Sequence, residues 1–163
     1  MPYYYSAASP AVGGSAVSLS TTISNLLNIK TTNTGQRACI QKLIVGWYSG
    51  GSANAPADTA MVQLLQRSST LLTSGTAFTA SPLIADAPAA ASTLTTAPSS
   101  GAFSNATPLV QLGYNGRGTA MWAAFNADEA IGIMGSTAPN AEVVLRGYAS
   151  ASSPANFNLL FSE

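Results

Sequence analysis

The sequence predicts an all-β fold, a jelly-roll-like β-sandwich of about eight or nine strands with a long irregular loop. Two observations lead to this prediction. Apolar residues recur in short runs, several of them alternating as in strands, and no run carries the 3.6-residue period of a helix. Clusters of Gly, Pro, Asn and Ser separate the runs, as turn residues do. A barrel is the alternative architecture.

The length of 163 residues fits one domain. A chain of this size buries about 68–70% of its unfolded surface, so stability requires neither a metal nor a disulfide. We expect three parts: an N-terminal arm at residues 1–14, the sandwich domain at residues 15–149, and a C-terminal extension with one strand at residues 150–163.

The first fourteen residues carry no charge and contain three consecutive tyrosines, Tyr3, Tyr4 and Tyr5. Two interpretations remain open. The segment is a flexible terminus, or it is an arm that lays its aromatic rings on a neighbouring subunit, because tyrosine supplies contact area at low entropic cost. Residues 15–22 and 23–31 follow as two short strands or one bent strand, ending at the turn Asn33-Thr34-Gly35.

The centre of the predicted fold is a hairpin of two strands, residues 40–48 and 59–67. The loop between them, residues 49–58, has only turn chemistry. In the first strand Leu43, Val45 and Trp47 share one face and Ile44 and Tyr48 the other, which predicts a central strand covered on both sides. In the second strand one face can be buried while the other stays in contact with water. Cys39, beside this hairpin, is interpreted as a small buried hydrophobic residue.

Residues 68–107 resist assignment to strands or helices. Three prolines, Pro82, Pro88 and Pro98, break any helix, and the Ala, Ser and Thr composition has no period. Long loops of this kind are usually functional, disordered or packed against something. We expect the segment to lie over a partner, with a flexible linker as the alternative.

The last third of the chain predicts several further strands. Residues 109–114 and 117–125 form a predicted hairpin through Asn115-Gly116, the preferred pair for a type I′ turn, with Tyr114 opposite Arg117. The second of these strands is expected to be covered on both faces. Strands at residues 130–136, 142–149 and 156–161 complete the fold, with a proline turn at residues 138–140.

Charge is the most unusual feature of the composition. Charged residues make up 7% of the chain and the net charge is zero, against roughly 25% charged residues in ordinary domains. Such a surface favours association with other proteins. The six basic residues are scattered, which argues against nucleic-acid binding. Neither a membrane-spanning apolar stretch nor a signal peptide is readable, so we expect a protein made in the cytoplasm that does not enter a membrane.

Catalytic chemistry is nearly absent from the sequence. There is no histidine, which excludes Ser-His and Cys-His nucleophiles and the common zinc sites. A glycosidase-like pair of Asp128 or Glu129 with Glu142 is conceivable, but acidic residues in a turn are ordinary. Trp47, Tyr48 and Trp122 fill the core or, as the less favoured alternative, form a platform for a sugar. We expect no enzyme activity, no cofactor and no metal.

The order of motifs resembles a family of small, low-charge capsid decoration proteins of tailed bacteriophages. The chain has an alternating segment ending in a Gly turn, SLSTTISNLLNIKTTNTG; an apolar strand, small-residue loop and second strand, IQKLIVGWYSGGSANAPADTAMVQLLQRSS; and the closing motif AIGIMGSTAPNAEVVLRGYA. The resemblance covers residues 18–149. The tyrosine-rich start and residues 150–163 go beyond the family pattern.

The resemblance implies a jelly-roll-like cement protein of the virion, often a homotrimer, that binds between major capsid subunits on the capsid surface and stabilises the phage head. A receptor-binding or fibre-tip domain that binds carbohydrate is the alternative. The expected subunit or capsid contacts are Tyr3, Tyr4, Tyr5, Pro88, Phe103, Phe157, Leu159 and Phe161.

Overall fold

The computed structural model describes residues 2–9, 17–47, 59–96, 103, 107–126, 128–138 and 140–163. This part of the chain is all-β and contains no helix. Its strands are β1 (Tyr4–Ser9), β2 (Val17–Leu19), β3 (Ser24–Lys30), β4 (Arg37–Trp47), β5 (Ala60–Arg67), β6 (Thr76–Phe78), β7 (Ser81–Pro82), β8 (Thr93–Thr96), β9 (Val110–Asn115), β10 (Thr119–Ala123), β11 (Ile131–Met134), β12 (Glu142–Ala149) and β13 (Ser153–Ser162).

These strands form two antiparallel sheets packed against each other, so the predicted β-sandwich is confirmed. Sheet A has the order β10-β4-β13-β1-β7, with β11 also beside β4 and β2 also beside β13. Sheet B has the order β6-β8-β3-β12-β5-β9. The described part has thirteen strands, more than the predicted eight or nine, because residues 76–96 contribute three short strands and the expected arm contributes β1. The finer jelly-roll description stays a prediction.

Both predicted hairpins are wrong, although the strands themselves are present. β4 lies in sheet A and β5 in sheet B, and β9 and β10 are divided between the sheets in the same way. At the second crossing Gly118 N–H donates to Asn115 O at 2.9 Å, so the turn is centred on Gly116 and Arg117. Alternation of apolar and polar residues predicts that a segment is a strand, but it does not predict which strand pairs with it. Here the pairing is set by the packing of the two sheets.

The two ends of the chain form the middle of sheet A. β1 pairs with β13 along six residues, from Tyr4 opposite Ser162 to Ser9 opposite Phe157, and β13 pairs with β4 on its other side. The rings of Tyr5 and Phe161 stack with centroids 5.4 Å apart. The expected arm and extension are therefore corrected: β1 and β13, which lie in these two segments, belong to the sandwich, because their alternating apolar residues complete its core.

A β-bulge in β4 allows both halves of this long strand to face the core. Leu160 pairs with Lys42 and Phe161 with Ile40, so Gln41 has no partner on β13. The extra residue reverses the alternation: Ile40 is buried before the bulge, and Leu43 and Val45 are buried after it. The bulge also separates β10 from β11, which occupy the same edge of β4 on either side of it.

Candidate interaction surface

The central part of the outer face of sheet A carries mainly apolar and uncharged polar side chains. Residues with the opposite alternation to the buried ones form two rows across four strands. One row runs Met121, Ile44, Asn158, Ala8, and the next runs Ala123, Lys42, Leu160, Ser6. The only ionisable group in these rows is the amine of Lys42.

Met121 and Phe125 are the most exposed side chains of this region, at 59% and 94%. The prediction that their strand is covered on both faces is therefore wrong. β10 is the edge strand of sheet A, and only its Ala120 and Trp122 pack against the core. The next residues extend an apolar surface toward Tyr4, which lines a cavity of about 210 Å³ together with Phe125.

The turn after β10 holds Phe125 in place by hydrogen bonds. The Glu129 carboxylate accepts from Phe125 N–H at 3.1 Å and from the Asn126 side-chain amide at 3.2 Å. Asn126 Oδ1 in turn accepts from the N–H groups of Asp128 and Glu129 at 2.9 and 3.1 Å. An exposed ring on a hydrogen-bonded turn can bury area on a partner at little cost in conformational entropy.

The segment after β7 lies over the chain's own sheet A. Leu83 N–H donates to Tyr4 O at 2.9 Å, and the Tyr5 hydroxyl donates to Pro88 O at 3.1 Å. The Glu163 carboxylate accepts from two successive backbone N–H groups, those of residues 91 and 92, both at 2.7 Å. This ordered segment exposes Leu83 and Ile84 by more than half. Its described part is thus docked on the sandwich itself.

The eight residues expected to make subunit or capsid contacts fall into two groups. Tyr5, Phe157, Leu159 and Phe161 are buried in the core. For these four the expectation is corrected, because the pairing of β1 with β13 turns their side chains toward sheet B. Tyr3 and Pro88 are exposed and Tyr4 and Phe103 are partly exposed. The Arg146 guanidinium lies over the Phe103 ring, 3.8 Å from the ring centroid.

The conceivable carboxylate pair is not assembled. Glu142 is fully buried and accepts from the Asn28 side-chain amide at 2.5 Å and from Leu72 N–H at 3.0 Å. Burial raises the pKa of Glu142, while these hydrogen bonds and the charge of Lys30 oppose the rise. Asp128 and Glu129 are exposed, and the Glu129 carboxylate bonds within its own turn. The two sides of the proposed pair therefore have separate partners.

The tryptophans belong mainly to the core. Trp47 and Trp122 are partly buried and pack against the main hydrophobic cluster, which confirms the favoured interpretation for these two. Tyr48, the third member of the alternative sugar platform, lies outside the described residues, as does the predicted loop at residues 49–58. Cys39 is half-buried, so it is less enclosed than predicted.

Sequence reasoning missed most of the exposed apolar residues. Met121 and Phe125 lie in a predicted strand that was expected to be covered on both faces, and only the finding that β10 is an edge strand explains their exposure. The alternation along β13 does place Leu160 on the other face of the strand from Leu159. This signal separates the outer face of β13 from its inner face. The pair Leu83-Ile84 lies in the segment that the pattern left unassigned, and the structure places both side chains at the surface.

Among the described residues, no group of three potential metal ligands comes together. The same residues include no helix of the length and apolarity needed to cross a membrane. The chain has no match among protein family models and none among curated protein sequences.

Proposed function

We propose that the chain is a structural virion protein, a capsid decoration protein that binds as a homotrimer between major capsid subunits and stabilises the phage head. The outer face of sheet A carries this proposal. Its two rows, from β10 to β1, offer apolar and uncharged polar side chains with Lys42 as their single charge, and they continue to the exposed Phe125 ring. Exposed and partly exposed apolar side chains grouped on one face, here Met121, Ile44 and Leu160 with Phe125, are typical of a protein interaction site.

Stabilisation would act through mass action. A protein that binds the assembled shell and not its separated subunits lowers the free energy of the shell by an amount set by its affinity and concentration. Burying apolar surface supplies the affinity, at about 25 cal/mol per Å² before the costs of association. Tyr3, Tyr4, Pro88 and Phe103 remain proposed contacts alongside the residues of sheet A.

The low charge of the chain supports the same role. Charged residues are depleted at the centres of protein interfaces, since a desolvated charge needs a partner. A receptor-binding domain for carbohydrate would instead favour exposed tryptophan around a cleft. The packing of Trp47 and Trp122 against the core therefore makes the decoration role the better supported of the two.

Two variants test the surface assignment. Phe125→Asp places a charge on the outer face of sheet A, and Tyr148→Asp places the same charge on sheet B, at another exposed aromatic residue. We expect Phe125→Asp to weaken binding to shells that lack the protein by at least about tenfold, since hot-spot aromatics contribute 2 kcal/mol or more. Tyr148→Asp should bind as the unmodified chain does.

The readout is the thermal melting of shells with and without bound protein, together with cryo-electron microscopy of the particle. Equal melting with and without the protein would contradict the stabilising role. Density at a tail tip would contradict the location on the head. A monomeric mass in native mass spectrometry would contradict the proposed homotrimer.

A further inference from the structure

Two arginines from different sheets meet at one cavity of about 270 Å³. Arg37 belongs to β4 in sheet A and Arg67 to the end of β5 in sheet B, and edge strand β11 lies beside both. The cavity is lined by Arg37, Cys39, Arg67, Ala130, Gly132, Ile133, Met134 and Asn140. It therefore combines two positive charges with an apolar wall.

Arg67 is held in a fixed position by the backbone of two neighbouring segments. Its guanidinium donates to Gly132 O at 2.6 Å and to Asn140 O at 3.3 Å. These bonds cover the open edge of β11, which is a structural role. They use two of the five N–H groups of the guanidinium and leave the others for a further acceptor.

Both guanidinium groups have only neutral partners in the described part of the chain. Arg37 is exposed and contacts Met134 Sδ at 3.8 Å, a weak acceptor. Five of the six acidic residues lie in that part, and none of them lines the cavity. Partial burial lowers the pKa of Arg67. A partly desolvated charge normally has a counter-charge, and no acidic residue among the described ones supplies it at this cavity.

Arg146 shows how the same fold satisfies an arginine without an anion. Its guanidinium donates to Asn25 Oδ1 at 3.0 Å and to Gln66 Oε1 at 2.9 Å, and the Phe103 ring covers its face. Polar side-chain acceptors and a ring thus occupy Arg146, whereas the space before Arg37 and Arg67 is an open cavity.

Gly132 keeps the cavity open. It pairs with Cys39 across β11 and β4, and a Cβ atom added to it would meet nothing within 4 Å. The absent side chain leaves room above Cys39 for a small group. The neighbouring Ala130, Ile133 and Met134 suit an aliphatic stem behind a charged head.

We propose that this cavity binds a carboxylate, with Arg37 and Arg67 as its two cationic partners. A guanidinium matches a planar carboxylate with paired N–H donors, and the apolar wall accommodates a short carbon chain. The carboxylate arrives either as a free small ion or as an acidic side chain of a bound protein. This assignment does not depend on the virion role.

Cys39 provides a built-in reporter, because it is the single cysteine of the chain and lines the cavity. Its thiolate displaces iodide from iodoacetate, which is an anion, and from iodoacetamide, which is neutral and of similar size. The measured quantity is the rate of alkylation by iodoacetate divided by the rate of alkylation by iodoacetamide. We expect this ratio to be about fivefold higher in the folded protein than in the urea-unfolded chain, because the two arginines attract the anionic reagent modestly.

Arg37→Gln should return this ratio toward the value for the unfolded chain, since it removes one charge from the cavity. Arg117→Gln removes the same charge at an exposed turn outside the cavity and should leave the ratio unchanged. Circular dichroism of both variants confirms that they fold. Equal ratios for the folded and unfolded protein, or equal effects of the two substitutions, would overturn the proposal.

Competition distinguishes the two sources of the carboxylate. Sodium acetate and N-acetylglutamate α-amide are each added at the same ionic strength as a sodium chloride control. Protection of Cys39 mainly by acetate identifies a site for free small ions, and protection mainly by the glutamate derivative identifies a site for a protein side chain. If neither slows alkylation more than sodium chloride does, no carboxylate is bound and the assignment is wrong.

Discussion

The Glu142 carboxylate accepts a 2.5 Å hydrogen bond from the side-chain amide of Asn28, and both residues are fully buried. They lie on adjacent strands of sheet B, β12 and β3. The backbone of Leu72 covers them from outside, donating to the second carboxylate oxygen at 3.0 Å. Asn28 Oδ1 accepts from Thr95 of β8, so one buried network connects three strands to the segment after β5.

The raised pKa of Glu142 predicts a particular dependence of stability on pH. The folded state keeps the proton to a higher pH than the unfolded chain, whose value is near 4.5. The free energy of unfolding therefore falls as the pH rises from 4.5 through the raised pKa, by about 1.4 kcal/mol for each unit of the rise. Glu142→Gln should lack this decrease in urea titrations between pH 4 and pH 8.

The control for this titration is Asp86→Asn, which removes the same charge from an exposed position of the segment after β7. It should retain the decrease seen in the unmodified protein. An identical pH profile for the Glu142→Gln variant and the unmodified chain would show that Glu142 does not contribute as argued.

Tyr114→Phe should lower the free energy of unfolding at neutral pH. It should also abolish the decrease in this free energy that the unmodified protein shows at alkaline pH. The Tyr114 hydroxyl accepts from the buried amide of Gln63 at 2.6 Å, and losing such a bond costs about 1 kcal/mol. Burial raises the pKa of Tyr114 to about 12, although the bond to Gln63 opposes the rise. Between pH 10 and 12 the unmodified protein should thus lose stability relative to the variant, as measured by thermal unfolding. A constant difference across that interval would contradict the assignment.

The burial of the C-terminal strand predicts a large effect for Phe157→Ala. Removing a fully buried ring costs about 3–5 kcal/mol of unfolding free energy, measurable by urea denaturation. Phe125→Ala removes the same ring from a position that is 94% exposed, so it should change stability by less than about 0.5 kcal/mol. Similar small losses for both variants would mean that β13 is a dispensable extension after all.

Gly147 is a second packing probe in the core. A Cβ atom at this position would lie 2.7 Å from Leu19 Cδ2 and 3.1 Å from Leu26 Cδ1. We expect Gly147→Ala to destabilise the fold by about 1–3 kcal/mol, because the buried leucines must shift. At Gly113, in β9, the added atom meets nothing within 4 Å, so Gly113→Ala should be tolerated in the same thermal assay. A neutral Gly147→Ala variant would contradict the close packing.

Glu163→Gln tests the attachment of the segment that exposes Leu83 and Ile84. One of the two bonds from residues 91 and 92 is lost when an amide replaces the carboxylate. Hydrogen exchange of these two amides should accelerate by about tenfold, the equivalent of one charge-assisted hydrogen bond. Glu129→Gln, at the turn of Phe125, should leave their exchange unchanged. Unaltered exchange in the Glu163 variant would show that other contacts hold the segment.

The candidate surface illustrates which site features a sequence can reveal. Low charge predicts an associating protein, and the consecutive tyrosines predict one part of the proposed contact region, where Tyr3 is exposed and Tyr4 partly exposed. Phe125 could not be recognised as exposed from the sequence. An apolar residue at the end of a strand gives the same sequence pattern whether it covers a core or projects from an edge strand. The cavity between Arg37 and Arg67 joins residues thirty positions apart from two sheets, which no local pattern connects.

The sequence by itself determined the strand class, because a period of two together with frequent turn residues leaves few alternatives to a packed β protein. It also determined that Phe157, Leu159 and Phe161 share one face. Tertiary structure alone decided that this face lies at the centre of sheet A, that β4 and β5 separate into different sheets, and that β10 is an edge. The physical reason is that alternation fixes which side of a strand is apolar, whereas the choice of neighbour depends on long-range pairing and on how the two apolar faces fill a common core.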